Sequence, residues 1–190
     1  DVYKRQLEAG TGDHLSFMTL WKSNRYFFHG DSYVAYRVSN GIALTLGAPV
    51  GLDISSEFEQ FAAEQGWAVA WYSVNAQFAD AHPELKRLQV AEEAVLNCES
   101  VEFKGKKFQN VRTARNKAEK EGITTRWTTW KELDIASIAR ITALSEDWVS
   151  DKALPEMGFT LGGLEEMMVD GTRLLLAESA DGTLHGVTSW

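Results

Sequence analysis

Tyr33-Val34-Ala35-Tyr36-Arg37-Val38-Ser39-Asn40-Gly41-Ile42-Ala43-Leu44-Thr45-Leu46 is the stretch that decides the fold. Residues 33–38 alternate as a strand does, and Ser39-Asn40-Gly41 is a hairpin turn signal. Residues 42–46 then form the return strand. Upstream, apolar Leu15, Phe17, Met18, Leu20 and Trp21 predict a short helix over 13–23, with Asp13 as its N-cap. Residues 1–6 lead into no periodic element. Downstream, Gly47-Ala48-Pro49-Val50-Gly51 breaks the pattern into a loop. Ser56 and Glu59 have the spacing of a capping box for a helix through Gln65, which Gly66 ends. The apolar run 67–74 predicts a central strand. A helix over 77–88, interrupted at Pro83, and a strand over 93–98 follow.

The second half repeats this order. After a basic segment come a short strand over 123–127 and an amphipathic helix over 131–152, with Leu133, Ile138, Ile141, Leu144 and Trp148 inward. A Gly-containing loop over 155–163 leads to a short helix at 164–168. A strand over 173–178, a turn at Asp181-Gly182 and a partner strand from Leu184 close the sequence. Helix, strand, turn and strand thus occur at 13–46 and again at 131–190, an architectural repeat without residue identity. The fold class is α/β with mixed sheets, divided into an N-terminal segment 1–12, a first domain over 13–130 and the start of a second over 131–190. The second copy stops in mid-strand, so the expectation is a truncated second domain.

The 190 residues, 44% hydrophobic and 24% charged, fit a globular chain with enough length for a real core. Cys98 is the single cysteine, which excludes an internal disulfide and a thiolate metal cluster. Net charge is −8, but it is unevenly spread. Lys104, Lys106, Lys107, Arg112, Arg115, Lys117 and Lys120 face one acid, Glu119, within 104–120. That segment carries +6 and the remainder −14. A focused basic patch on an acidic body points to a local polyanion site.

In the same segment Phe108, Val111, Ala114 and Ala118 recur at helical spacing, with Gly122 as C-terminal cap. At about 100° per residue, Arg115 falls within that apolar arc and Arg112 lies beside it. A guanidinium on a buried face needs a phosphate or carboxylate for its bidentate fork. Gly105-Lys106-Lys107 opens the helix, where free N–H groups and the dipole favour anions. The competing reading pairs Arg115 with Glu119 at i+4 and leaves the lysines as solvated surface. His29-Gly30-Asp31-Ser32 offers a proton-exchanging pair or, equally, a plain turn. His14, His82 and His185 have no metal-ligand spacing with acids, so no metal is expected. No Walker A loop, Gly-x-Ser-x-Gly elbow or Gly-x-Gly-x-x-Gly is present, nor the Arg/Gln-x-x-Gly-x-Gly/Ala loop of acetyl-CoA enzymes. Kinase and hydrolase readings are thereby disfavoured.

The run from Gly105 to Gly122 resembles the C-terminal synthase domain of the multiple-peptide-resistance (phosphatidylglycerol lysyltransferase) family, especially its actinobacterial branch. Phe28-His29-Gly30-Asp31, Gly47-Ala48-Pro49-Val50-Gly51, Gly158-Phe159-Thr160-Leu161-Gly162 and His185-Gly186-Val187-Thr188-Ser189-Trp190 follow the family's order. The resemblance implies tandem acetyltransferase-like (GNAT) folds, the first complete and the second truncated. It implies transfer of an aminoacyl group, lysyl first, from aminoacyl-tRNA to phosphatidylglycerol, with no cofactor beyond that donor. Lys106, Lys107, Arg112, Arg115 and Asn116 would then hold phosphates of the tRNA acceptor end or lipid head group. His29, Asp31, Gly158, Phe159 and Gly162 would line the channel or position substrate. The family's Asp-x-x-Arg element lies beyond residue 190, so the expectation is no catalytic residue, and no activity, in this stretch alone. A membrane domain of the parent protein would hold it at the cytoplasmic face of the bacterial cell membrane. Two alternatives stay open: a peptidoglycan-bridge type tRNA-dependent aminoacyltransferase, and a non-enzymatic anion- or RNA-binding module.

Overall fold

The computed structural model describes residues 2–92, 97–150 and 162–190. They divide into two compact units, Asp1–Ala91 and Glu92–Trp190. The basic segment and the strand after it therefore group with residues 131–190, which the sequence reading had assigned to a separate domain.

In the first unit, β1 (Arg25–His29), β2 (Ser32–Ser39), β3 (Ile42–Thr45) and β4 (Ala68–Ala70) form one sheet in that order. The β2–β3 hairpin has the expected register, Ser39 opposite Ile42. Asn40 and Gly41 both have positive φ, +50° and +74°. That is the backbone a two-residue hairpin turn demands, and it suits Asn-Gly. β2 is one of the two interior strands and is buried on both faces over residues 32–36. Val34 and Tyr36 pack with Ala43 against Ile54, Phe58 and Ala62, the last two from α2 (Ser55–Glu64). Tyr33 and Ala35 face the other way, with Val50, Leu7 and Tyr26. Leu7 belongs to α1 (Val2–Glu8), a helix that begins within residues 1–6, where no periodic element was expected.

Several sequence expectations are corrected here. The apolar run 67–74 supplies an edge strand of three residues, not a central one. β4 pairs in parallel with β3 only as far as Leu44 opposite Ala70. Beyond that the buried Thr45 hydroxyl intervenes, accepting from the Tyr72 N–H at 3.2 Å. The Ser56/Glu59 capping box does not form. α2 starts at Ser55, whose N–H donates to Asp53 Oδ1, while Glu59 accepts from the Trp71 indole at 2.9 Å. The expected helix over 13–23 is a tight 3-10 turn, Ser16–Leu20. Asp13 Oδ1 accepts from the Leu15 N–H and the Ser16 hydroxyl, fixing that turn. α3 (Ala76–Ala81) is capped by Asn75 and stops before Pro83, whose ring disfavours helix in the preceding residue.

In the second unit, β5 (Thr124–Thr128), β6 (Leu174–Glu178) and β7 (Leu184–Ser189) make an antiparallel sheet in that order. Ile141 of α5 (Ile135–Ser150) packs on Leu174 and Leu176, and all three are fully buried. Leu164 and Met167 of α6 (Leu164–Met167) join that cluster. Trp148, expected inward, is 52% exposed, because α5 turns only Ser137 and Ile141 to full burial. The strand predicted at 93–98 lies mostly outside the described residues, and Cys98–Ser100 is a 3-10 turn. Gly158 and Phe159 also fall outside the described residues. Among the described residues, no helix is long and apolar enough to cross a membrane.

Two predictions follow from this packing. Phe58→Ala empties a site with no exposure and is expected to cost about 3–5 kcal/mol, read from denaturant unfolding of the chain. In the β6–β7 turn, the Ser179 hydroxyl and the Thr183 amide hold the Asp181 carboxyl down to about 2. Since the folded value is the lower one, the turn's stabilisation is present above pH ~4 and is lost as pH falls through about 2. The Asp181 carboxyl 13C shift against pH checks this: a midpoint near 4 refutes it.

Candidate anion-binding site

The basic segment forms a 3-10 turn, Lys106–Phe108, running directly into α4 (Gln109–Lys120). Ala114 and Ala118 favour helix, and the end is set by backbone geometry. The Ile123 N–H reaches the Ala118 carbonyl at 2.9 Å and the Gly122 N–H the Glu119 carbonyl at 3.2 Å. This is the paired Schellman closure, with Gly122 at φ +69° supplying the left-handed residue.

α4 buries no residue, so the expectation of Arg115 on a buried face is not met. Val111, in the apolar arc, is 45% exposed. Arg115 is exposed and its Nε lies 3.5 Å from Glu119, the i+4 pairing that was the competing reading. Lys117 faces Glu121 at 3.8 Å and Lys104 faces Glu102 at 2.8 Å. Lys107 sits 4.8 Å over the Phe108 ring, which meets Phe103 edge-on at 5.4 Å. Among the described residues, no carboxylate stands within ion-pair distance of Lys106 or Lys107. Asn116 is exposed on the same helix. Arg112 is half-buried and donates through Nη1 to the Phe103 and Gly105 carbonyls at 2.9 and 2.8 Å. The cations therefore differ: three lean on carboxylates, Arg112 on backbone carbonyls and Lys107 on the Phe108 ring, while Lys106 and Lys120 have no carboxylate within ion-pair distance among the described residues.

The other expected positions are distributed. His29 and Asp31 are both exposed and flank Gly30 in the tight β1–β2 turn, with His29 opposite Ser32 in the ladder. Gly162 has a positive φ of +67° just before α6.

Two clusters have no sequence signature. His82 places Nε2 3.1 Å from Asp53 and Nδ1 3.2 Å from Glu84, with its ring against Phe78. Burial pushes the Asp53 carboxyl up, but hydrogen bonds from Ser55 and His82 outweigh it and hold it below the usual range. Ser55 Oγ lies 3.5 Å from the same Nε2 that Asp53 occupies, and Ser55 is buried. The hydroxyl is neither activated nor accessible, so the cluster is a clamp between α2 and the chain after α3, not a nucleophile. In the second unit Glu178 joins Arg126 at 2.8 Å and Arg140 at 3.4 Å, while Arg140 also donates to the Gly182 carbonyl. This ties α5 to the β6–β7 turn. Among the described residues, no group of His, Cys, Asp and Glu could hold a metal ion.

A mixed α/β chain with two sheets and one exposed basic helix is thus defined. The chain belongs to the family described as phosphatidylglycerol lysyltransferase, C-terminal, whose family model matches residues 4–190. It is 52% identical to an uncharacterized protein of Corynebacterium glutamicum, covering 97% of this chain and 25% of that protein. It is 28% identical to a phosphatidylglycerol lysyltransferase of Staphylococcus xylosus, over 84% of this chain and 20% of that one. The solved structure of L-PGS from Bacillus licheniformis superposes with a TM-score of 0.81 at 21% identity, covering 99% of this chain and 60% of that chain. The fold matches, and the chain spans a quarter or less of the length of these curated relatives.

Because Arg115–Glu119 is an exposed pair on a solvated helix, Arg115→Ala is expected to shift unfolding free energy by no more than about 0.5 kcal/mol. A thermal melt showing a loss several times larger refutes this account of the helix.

Proposed function

We propose that this chain is part of an enzyme that transfers a lysyl group from its tRNA to a hydroxyl of phosphatidylglycerol. The observation that carries this is the family match over residues 4–190, supported by a two-sheet fold like that of L-PGS. A lipid hydroxyl attacks the aminoacyl ester, the new C–O bond forms as the tRNA oxygen leaves, and the hydroxyl proton passes to that oxygen. Such a step needs positioned reactants and stabilisation of the developing oxyanion. Both substrates carry phosphodiesters, and the ammonium groups of the exposed Lys106 and Lys107 suit them. Arg112, Arg115 and Asn116 belong to the same proposed surface, and His29, Asp31 and Gly162 to the proposed positioning of substrate. No residue of this chain is assigned the proton transfer.

The finer architecture proposed is two tandem acetyltransferase-like folds. In the first unit, the antiparallel run β1–β2–β3 followed by a helix and the parallel strand β4 supports this. In the second, β5, α5, α6, β6 and β7 follow the order strand, two helices and hairpin. The proposed location is the cytoplasmic face of the membrane, where both a charged tRNA and the lipid are accessible.

The test uses the full-length protein with charged lysyl-tRNA and mixed bacterial lipid. Label is expected in the phosphatidylglycerol fraction, with a new cationic lipid by thin-layer chromatography. Label only on a cell-wall precursor, or binding of RNA without any product, overturns the proposal.

A further inference from the structure

The guanidinium of Arg112 faces carbonyl oxygens of the loop that leads into α4, and this geometry separates it from the lysines around it. Its Nη1 donates to Phe103 and Gly105, nine and seven residues back along the chain. The Gly105 carbonyl also accepts from the Phe108 N–H at 3.3 Å, and Gly105 sits at φ +79°. All peptide bonds described are trans. In a trans peptide the C=O and the following N–H point in opposite directions. With the Phe103 and Gly105 carbonyls turned toward Arg112, the N–H groups of Lys104 and Lys106 are turned to the opposite side of the loop. Those amides donate to no backbone or side-chain acceptor among the described residues. Lys106 and Lys107 begin the 3-10 turn directly after this reversal.

We propose that Arg112 is a positioning residue: by bonding the Phe103 and Gly105 carbonyls it holds the loop that presents Lys106 and Lys107 to a phosphodiester that it does not itself touch. This rests on the reading above that the basic segment holds phosphate, and it gives Arg112 an indirect part in that surface. A residue that acts only through Lys106 and Lys107 must lose its effect once they are removed, because energetically coupled sites are non-additive.

The experiment is a double-mutant cycle on the full-length protein. Arg112→Ala is made in the natural sequence and in a Lys106→Ala/Lys107→Ala background. Binding is measured to an acceptor-stem RNA hairpin and, separately, to phosphatidylglycerol vesicles, so that the two phosphodiester sources are told apart. In the natural background Arg112→Ala is expected to weaken binding to whichever probe is held by about tenfold, the usual worth of hydrogen bonds to a charged group. In the lysine-free background the loss is expected to fall below about twofold. Trypsin cleavage after Lys104 and Lys106 is expected to speed up in Arg112→Ala. Arg112→Lys, which restores a charged donor to the carbonyls, is expected to recover both slow cleavage and affinity. Equal losses in the two backgrounds, or no loss in the natural one, overturn the inference. If Lys106→Ala/Lys107→Ala binds both probes as the natural protein does, the phosphate-holding reading itself fails, whatever Arg112 does.

Discussion

The double burial of β2 is the constraint on which the first unit depends. A strand covered on one face tolerates polar residues at every second position, but here Tyr33, Val34, Ala35 and Tyr36 are all buried in succession. Side chains alternate across the sheet, so this run must be met by separate layers. α2 delivers Phe58 and Ala62 to one face, and α1 with Val50 closes the other. The register of β1 and β3 follows, since a slip of one residue would exchange the two sets of side chains between unlike environments. The Tyr33 hydroxyl shows how strict the fit is. It is buried, and it meets the Thr19 hydroxyl at 2.8 Å within the 3-10 turn that precedes the sheet.

The second unit relies on fewer large groups. Among the described residues, Ile141, Leu174 and Leu176 are its fully buried apolar side chains, partly buried groups such as Trp130 and Leu133 pack around them, and polar links add to the organisation. Glu178, 17% exposed, sits between two guanidiniums, each brought from a different element. A carboxylate shared in this way fixes the angle of α5 against the hairpin, while an apolar contact would tolerate sliding. The basic helix belongs to this unit yet takes no part in its core.

How much was legible in the sequence depends on whether the signal was local. The β2–β3 hairpin, the end of α2 at Gly66 and the end of α4 at Gly122 were readable because turn and cap chemistry is carried by adjacent residues. The same is true of the Arg115–Glu119 pair, which helical spacing alone suggests. What failed was anything set by distant partners. The run 67–74 looked central from its composition, but strand position is decided by how far β3 can pair, and Thr45 ends that pairing. Ser56 and Glu59 had the spacing of a capping box, but Trp71, twelve residues on, competes for the carboxylate. The inward face assigned to α4 rested on helical spacing, which does not report whether anything packs on that face. Arg112 shows the same limit: composition reveals a charge but not the Phe103 and Gly105 carbonyls it faces. The His82 and Glu178 clusters join residues 29 and 52 apart, and no periodicity reports such pairs.

α4 is closed at one end by the Schellman pair and braced at the other by Arg112, while its flanks are bare. A twelve-residue helix pinned in this way is a rod of about 18 Å along which side chains advance by about 1.5 Å per residue. Its cations therefore keep a set longitudinal pitch instead of floating as a flexible tail would. A charged polymer laid along it would meet those cations at fixed axial intervals.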